Sequence, residues 1–175
     1  MKDGIKIAIS GRSGCGNTTV STLVAKRLNL KLVNYTFHSL AEEMDIPFKE
    51  LCRLAETDPQ YDYRVDETQV KIGREGNCVL GSRLAVWLLK EADLKVFLTA
   101  PEDVRASRIQ KREGGSLEKV LEETRARDHR DHERYKKLYD INNDDYDFVD
   151  LIVNTEKFPP EEIADMIIKR AKEAP

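Results

Sequence analysis

The sequence predicts an α/β protein built on a five-stranded parallel sheet with helices on both faces. Three observations carry the expectation. Five short apolar, β-branched runs alternate with longer stretches of helical periodicity. A glycine-rich loop joins the first run to the first helical stretch. The chain has 175 residues, 40% of them hydrophobic, which suits one compact domain whose sheet is covered on both sides.

The first strand is expected at Ile5–Ser10, an alternation of isoleucine with smaller or polar residues. A helix follows from about Thr18 to Asn29, then a second strand at Leu30–Asn34. Helices are expected at Phe37–Met44, Pro47–Glu56 and Tyr61–Arg74; Pro47 suits a first turn, where its missing N–H is no loss. The third, fourth and fifth strands fall at Asn77–Gly81, Leu94–Thr99 and Asp150–Asn154. Helices fill Leu84–Lys90, Glu102–Lys111, Leu117–Leu138 and Pro160–Lys172. Strand–helix alternation of this kind requires crossover connections, hence a parallel sheet. The polar segment Asn142–Asp147 reads as a mobile loop.

The charge balance narrows the function. There are 29 basic and 32 acidic residues, a net charge of -3, whereas a general nucleic-acid binder carries a basic excess. Met1-Lys2-Asp3-Gly4 leads straight into a strand, without a leader pattern, and no apolar run is long enough to span a membrane. Cys15, Cys52 and Cys78 lack metal-ligand spacing and read as reduced thiols. The expectation is a cytoplasmic monomer acting on small molecules, with no nucleic-acid or membrane partner.

The strongest local signal is Gly11-Arg12-Ser13-Gly14-Cys15-Gly16, followed by Asn17, Thr18 and Thr19, between a strand and a helix. Glycines let a backbone bend tightly around phosphates, and the helix start offers free N–H groups and a positive dipole end to the same anion. Thr18 holds the position whose hydroxyl ligates Mg²⁺ in such loops. Asn17 stands where the usual pattern has lysine, so a cation beside the transferred phosphate is missing. A glycine-rich helix cap, or a phosphate loop with little remaining catalysis, are the competing readings of this stretch alone.

Other segments extend the pattern. They are Glu75–Trp87 around the third strand, Ala92–Pro101 around the fourth, Arg105–Gly114, and the Arg-Asp-x-x-Asp-x-x-Arg run from Arg127 to Arg134. In order and spacing, and over nearly the whole chain, these resemble the short form of cytidylate kinases. The resemblance implies the P-loop nucleoside monophosphate kinase fold, with a core at about 1–34, 75–104 and 148–175. It implies a helical acceptor-binding region at about 35–74 and a short lid at about 105–135. It implies transfer of the ATP γ-phosphate to CMP or dCMP, with Mg²⁺.

By the same resemblance, ATP lies on the loop from Gly11 to Thr19, with Thr18 toward the metal. Arg127 and Asp131 hold the ribose end of the acceptor; Arg134 and Arg83 hold its phosphate. Arg105, Arg108 and Arg112 form an i, i+3, i+7 row. Arg108 and Arg112 neutralise the transferring phosphoryl group and offset the charge that Asn17 lacks. His38 falls near a family arginine that contacts the acceptor phosphate, and an imidazole there is the corresponding ligand candidate. Gly81-Ser82 replaces an acidic-glycine pair before Arg83. From residue type and spacing alone, Arg127, Asp131 and Arg134 share one helix face, and an ordinary i,i+4 ion pair on a wet helix is the favoured reading. Asp62 and Asp66, one turn apart in the region where the acceptor should sit, could contact its base or ribose, with solvent-facing carboxylates the preferred reading. Asp140–Asp144 begins like a calcium loop, but Asp145 and Leu151 stand where that loop needs glycine and glutamate. A kinase for another small acceptor, such as AMP or shikimate, is the alternative on the same fold.

Overall fold

The computed structural model describes residues 2–173. Strand β1 (Lys6–Gly11) sends Ile7 and Ile9 to one face of the sheet and Ala8 to the other, the two-residue period of extended chain. Strand β4 (Leu94–Thr99) does the same with Val96 and Leu98 against Phe97. With β2 (Lys31–Val33), β3 (Cys78–Gly81) and β5 (Leu151–Asn154) they form one five-stranded sheet in the order β2-β3-β1-β4-β5. Every pair is parallel, so the C-terminal ends of all five strands lie along one edge.

Helices cover both faces. On one face α1 (Asn17–Leu28) and α8 (Pro160–Glu173) lay Val20, Val24, Ile163 and Ile167 over the isoleucines of β1. Burying each such side chain contributes about 1.5–3 kcal/mol. On the other face α5 (Ala85–Leu88) packs Ala85 and Val86 over Ala8 and Phe97, and Trp87 meets the Phe97 ring edge-on at 5.7 Å. The helix expected over Leu84–Lys90 is cut to this single turn. Leu89 leaves helical backbone at ψ 74, because the chain has to return within five residues to start β4 at Leu94.

Two helical units overhang the C-terminal edge. In the first, α2 (Phe37–Glu43), α3 (Phe48–Ala55) and α4 (Gln60–Arg74) share a minor core of Leu40, Leu51 and Val65. Pro47 sits just outside α3, as its N-cap. In the second, α6 (Glu102–Glu113) and α7 (Leu117–Tyr139) meet through Ala106, Ile109 and Val120. The segment 142–147, expected to be mobile, is packed. Asn143 is buried and its Oδ1 lies 2.9 Å from His132 Nδ1, while Tyr146 stacks on Phe97 at 4.0 Å.

The strand order reverses at β1, which has β3 on one side and β4 on the other. A parallel sheet opens a crevice beyond the strand ends at such a point. The Gly11–Gly16 loop lies there. Among the described residues, no helix is long and apolar enough to cross a membrane.

Candidate active site

The loop is shaped by glycine where a side chain has no room. A Cβ at Gly11 would stand 2.8 Å from the Leu98 carbonyl, and one at Gly14 2.8 Å from the Arg105 carbonyl. Gly14 and Gly16 take φ of 83° and 86°, in the left-handed region. Above Gly16 there is open space. Helix α1 then starts uncapped: Gly16 offers no side-chain acceptor, and the first turn has no acid. Helices α2 and α7 satisfy their own starts with Thr36 and Ser116. The first amides of α1 are therefore left to an outside anion.

These amides face a cavity of about 650 Å³. Its charged lining consists of Arg12, Arg83, Arg108, Arg112 and Arg127, with no carboxylate among the described residues. Such a concave, single-sign wall concentrates anions. Arg108 is oriented by Thr155, with Nη1 2.8 Å from the hydroxyl and Nη2 2.7 Å from the carbonyl. Arg127 donates to Ser13 Oγ at 3.1 Å. Arg12 pairs with Asp128 and with Asp144 of the packed 142–147 segment. Arg112 is exposed at the rim and, among the described residues, pairs only with its neighbour Glu113.

The expected arginine row is broken. Arg105 is 3% exposed and turns inward, donating to Asp128 at 2.6 and 3.2 Å and to the Ser13 carbonyl at 3.1 Å. It braces α6, α7 and the loop, and only Arg108 and Arg112 of that row reach the cavity. Sequence reasoning misses Asp128, although it follows Arg127 directly, because its partner lies 23 residues away.

Asn17 is turned into the wall. Its Nδ2 donates to the Ile9 carbonyl at 3.0 Å and lies 3.4 Å from the Ser82 carbonyl, and its Oδ1 accepts from Ser21 Oγ at 2.8 Å. Gly81 makes room for this: a Cβ there would meet Ser21 Oγ at 2.4 Å and Asn17 Oδ1 at 3.0 Å. The two departures from the usual sequence, at 17 and 81, thus occupy one space. Cys15 lies buried below the loop, and burial pushes its thiol pKa up, away from reactivity.

A second cavity, of about 930 Å³, opens beside the first and shares Thr18, Gly81, Ser82 and Arg83 with it. Ser82 Oγ is buried at this junction without a hydrogen bond among the described residues. Asp131 pairs with Arg83 at 3.0 Å, and burial raises its carboxyl pKa despite that arginine. Arg134 clamps Asp62 through Nε at 2.9 Å and through Nη2, which also reaches the Ala55 carbonyl at 3.3 Å. Tyr139 donates to Asp66 Oδ2 at 2.5 Å. Burial, with Asp62 nearby, raises the Asp66 pKa to about 6, against the opposing effects of Tyr139 and Arg134.

Three expectations change here. Asp62 and Asp66 are not solvent-facing; both line the second cavity. Arg127, Asp131 and Arg134 do share a face of α7, but Arg127 serves the first cavity while the other two serve the second. His38 is not brought to either cavity. It stacks on Phe48 at 3.7 Å and is exposed on the far side, while Phe48 forms the cavity wall.

An uncapped glycine loop on a parallel sheet, ringed by arginines and opening onto an acceptor-sized cavity, defines an ATP-dependent nucleoside monophosphate kinase. Residues 6–157 match the cytidylate kinase-like family, and the chain belongs to that family. It is 44% identical over 167 residues to cytidylate kinase 2 of Borreliella burgdorferi, covering 93% of each chain. It is 41% identical over 162 residues to the cytidylate kinase of Pyrococcus horikoshii, covering 91% of this chain and 84% of that one. Its fold resembles shikimate kinase from Bacteroides thetaiotaomicron, with a TM-score of 0.64 at 15% identity, covering 97% of this chain and 96% of that one.

Proposed function

We propose that this kinase transfers the γ-phosphate of ATP to CMP or dCMP, giving CDP or dCDP. The observation that carries the proposal is the junction at Ser82 and Arg83 between a cavity whose charged residues are all arginines and a second one of mixed charge with aromatic walls. A triphosphate and a nucleoside monophosphate would meet there. The names of the relatives support a cytidine acceptor.

The loop from Gly11 to Thr19 holds the ATP phosphates through backbone amides, and Arg127, braced on Ser13, adds charge. Mg²⁺ fits the oxygen chemistry at the junction. Thr18 lines both cavities there and the unpartnered Ser82 Oγ lies at the same junction, and this ion keeps few protein ligands when phosphates supply the rest. Bound there, it would neutralise charge on the phosphate oxygens. Asn17 sets the shape of the loop. Arg108 and Arg112 supply the cations that stabilise the transferring group, since phosphoryl transfer depends on positioning and charge. Arg83 takes the acceptor phosphate. Asp131, paired with Arg83, shapes the ribose and phosphate end of the acceptor site, and Arg134 orders its α4 wall through Asp62.

Residues 35–74 form the acceptor-binding region and 105–135 the lid. Lid closure excludes water and so suppresses hydrolysis of ATP. The enzyme works as a cytoplasmic monomer on these small molecules. The test is a panel of CMP, dCMP, UMP, AMP and shikimate, each with ATP and Mg²⁺. CDP and dCDP should form at about 1 s⁻¹ or faster. Phosphorylation of AMP or shikimate alone would refute the assignment.

A further inference from the structure

We infer that Asp66 determines the acceptor base, by accepting a hydrogen bond from the exocyclic amine that distinguishes cytosine from uracil. The inference rests on the cytidine acceptor proposed above. Asp62 and Asp66 lie one turn apart on α4, and both border the second cavity. Their situations differ. Arg134 takes both oxygens of Asp62 and neutralises it. Asp66 has no cation of its own among the described residues. Its Oδ2 accepts from Tyr139, and its Oδ1 makes no hydrogen bond to them. An incompletely partnered carboxylate in a partly buried site is unfavourable for folding alone. Its location suggests that a ligand completes it.

The surroundings specify the ligand. Phe37, Phe48 and Val65 line the same cavity and present apolar surface to a planar ring. An ionised carboxylate only accepts hydrogen bonds. Cytosine offers an N–H₂ donor where uracil offers a carbonyl acceptor. The carboxylate would therefore attract one base and repel the other, the kind of polar contact that discriminates strongly. The phosphate end is fixed by Arg83 at the junction, which leaves the base for the α2–α4 side, where Asp66 lies.

The experiment uses the full chain and Asp66→Asn, with kcat/KM measured for CMP, dCMP and UMP at saturating ATP and Mg²⁺. The CMP-to-UMP ratio should fall at least tenfold, with the CMP-to-dCMP ratio unchanged. An equal fall for CMP and UMP would show a structural role and overturn the inference. So would a changed CMP-to-dCMP ratio at constant base preference, which would assign Asp66 to the sugar. If the variant does not fold, KM of the unaltered enzyme gives the answer. On acidification below pH 6, KM for CMP should rise relative to KM for UMP; a parallel rise would overturn the inference. The groups facing Asp66 are Asp62 on its own helix and Arg134, Tyr135 and Tyr139 on α7. Failure of the cytidylate assignment itself would appear as absence of CDP with the unaltered enzyme, so the two failures are separable.

Discussion

The Asn17 side-chain amide donates to the Ile9 carbonyl at 3.0 Å, tying the first turn of α1 to the end of β1. Asn17 also fills space that a side chain at position 81 would need. The missing lysine is therefore part of a rebuilt wall. Asn17→Lys should lower kcat/KM at least tenfold and destabilise the fold by about 1 kcal/mol, the worth of the hydrogen bonds it abandons. Steady-state kinetics and urea unfolding check both. An unchanged or higher rate would mean that the site had simply lost a charge.

Arg105 and Asp128 form a buried pair that holds the loop against α6 and α7. Arg105→Ala removes the two short donors to Asp128 and, among the described residues, leaves it the single longer contact from the part-exposed Arg12 at 3.4 Å. Removing one partner of a buried pair costs about 3–5 kcal/mol. Thermal unfolding should show a large drop in Tm, and ATP affinity should fall with it.

Arg112 offers the contrast. It is exposed and pairs with Glu113 beside it in the chain, so Arg112→Ala should leave Tm unchanged. If it reaches the transferring phosphate on lid closure, kcat should fall by about 10²-fold, typical of losing one preorganised donor. A lower Tm with normal kcat would assign it to structure instead.

Asp66 predicts a pH-dependent trade between stability and function. Its folded pKa of about 6 lies above the ordinary 3.8, so the folded state binds the proton more tightly. Its contribution is complete below about pH 3.8 and is lost as pH rises to about 6. At pH 7.5, Asp66→Asn should be more stable than the unaltered chain by about 1–3 kcal/mol, since each tenfold change in proton affinity is worth roughly 1.4 kcal/mol. The difference should vanish near pH 4. Urea titrations at the two pH values measure it.

The sheet and the loop are legible in the sequence because their causes are local. The β1 and β4 runs alternate with a period of two, and the glycines at 11, 14 and 16 announce a backbone that no other residue could follow. The partners of the carboxylates, and so their burial, are not legible. Asp62 finds Arg134 72 residues away and Asp66 finds Tyr139 73 residues away. Helical spacing says which residues share a face, but not which helix covers it. The place of His38 is hidden for the same reason: stacking on Phe48 is decided by how α2 meets α3. The division of Arg127 from Arg134 between two cavities follows from the length of α7, whose 23 residues bring Arg127 to Ser13 of the loop, Asp131 to Arg83 and Arg134 to Asp62 of α4.

The central claim is that two adjoining cavities hold donor and acceptor at once, with phosphates meeting at Ser82 and Arg83. Calorimetric titration with adenosine and cytidine joined by a five-phosphate bridge tests it most directly. The analogue should bind one to one, more tightly than ATP or CMP, and both nucleotides should compete with it. Binding that only ATP displaces, or that two molecules of analogue share, would contradict the arrangement.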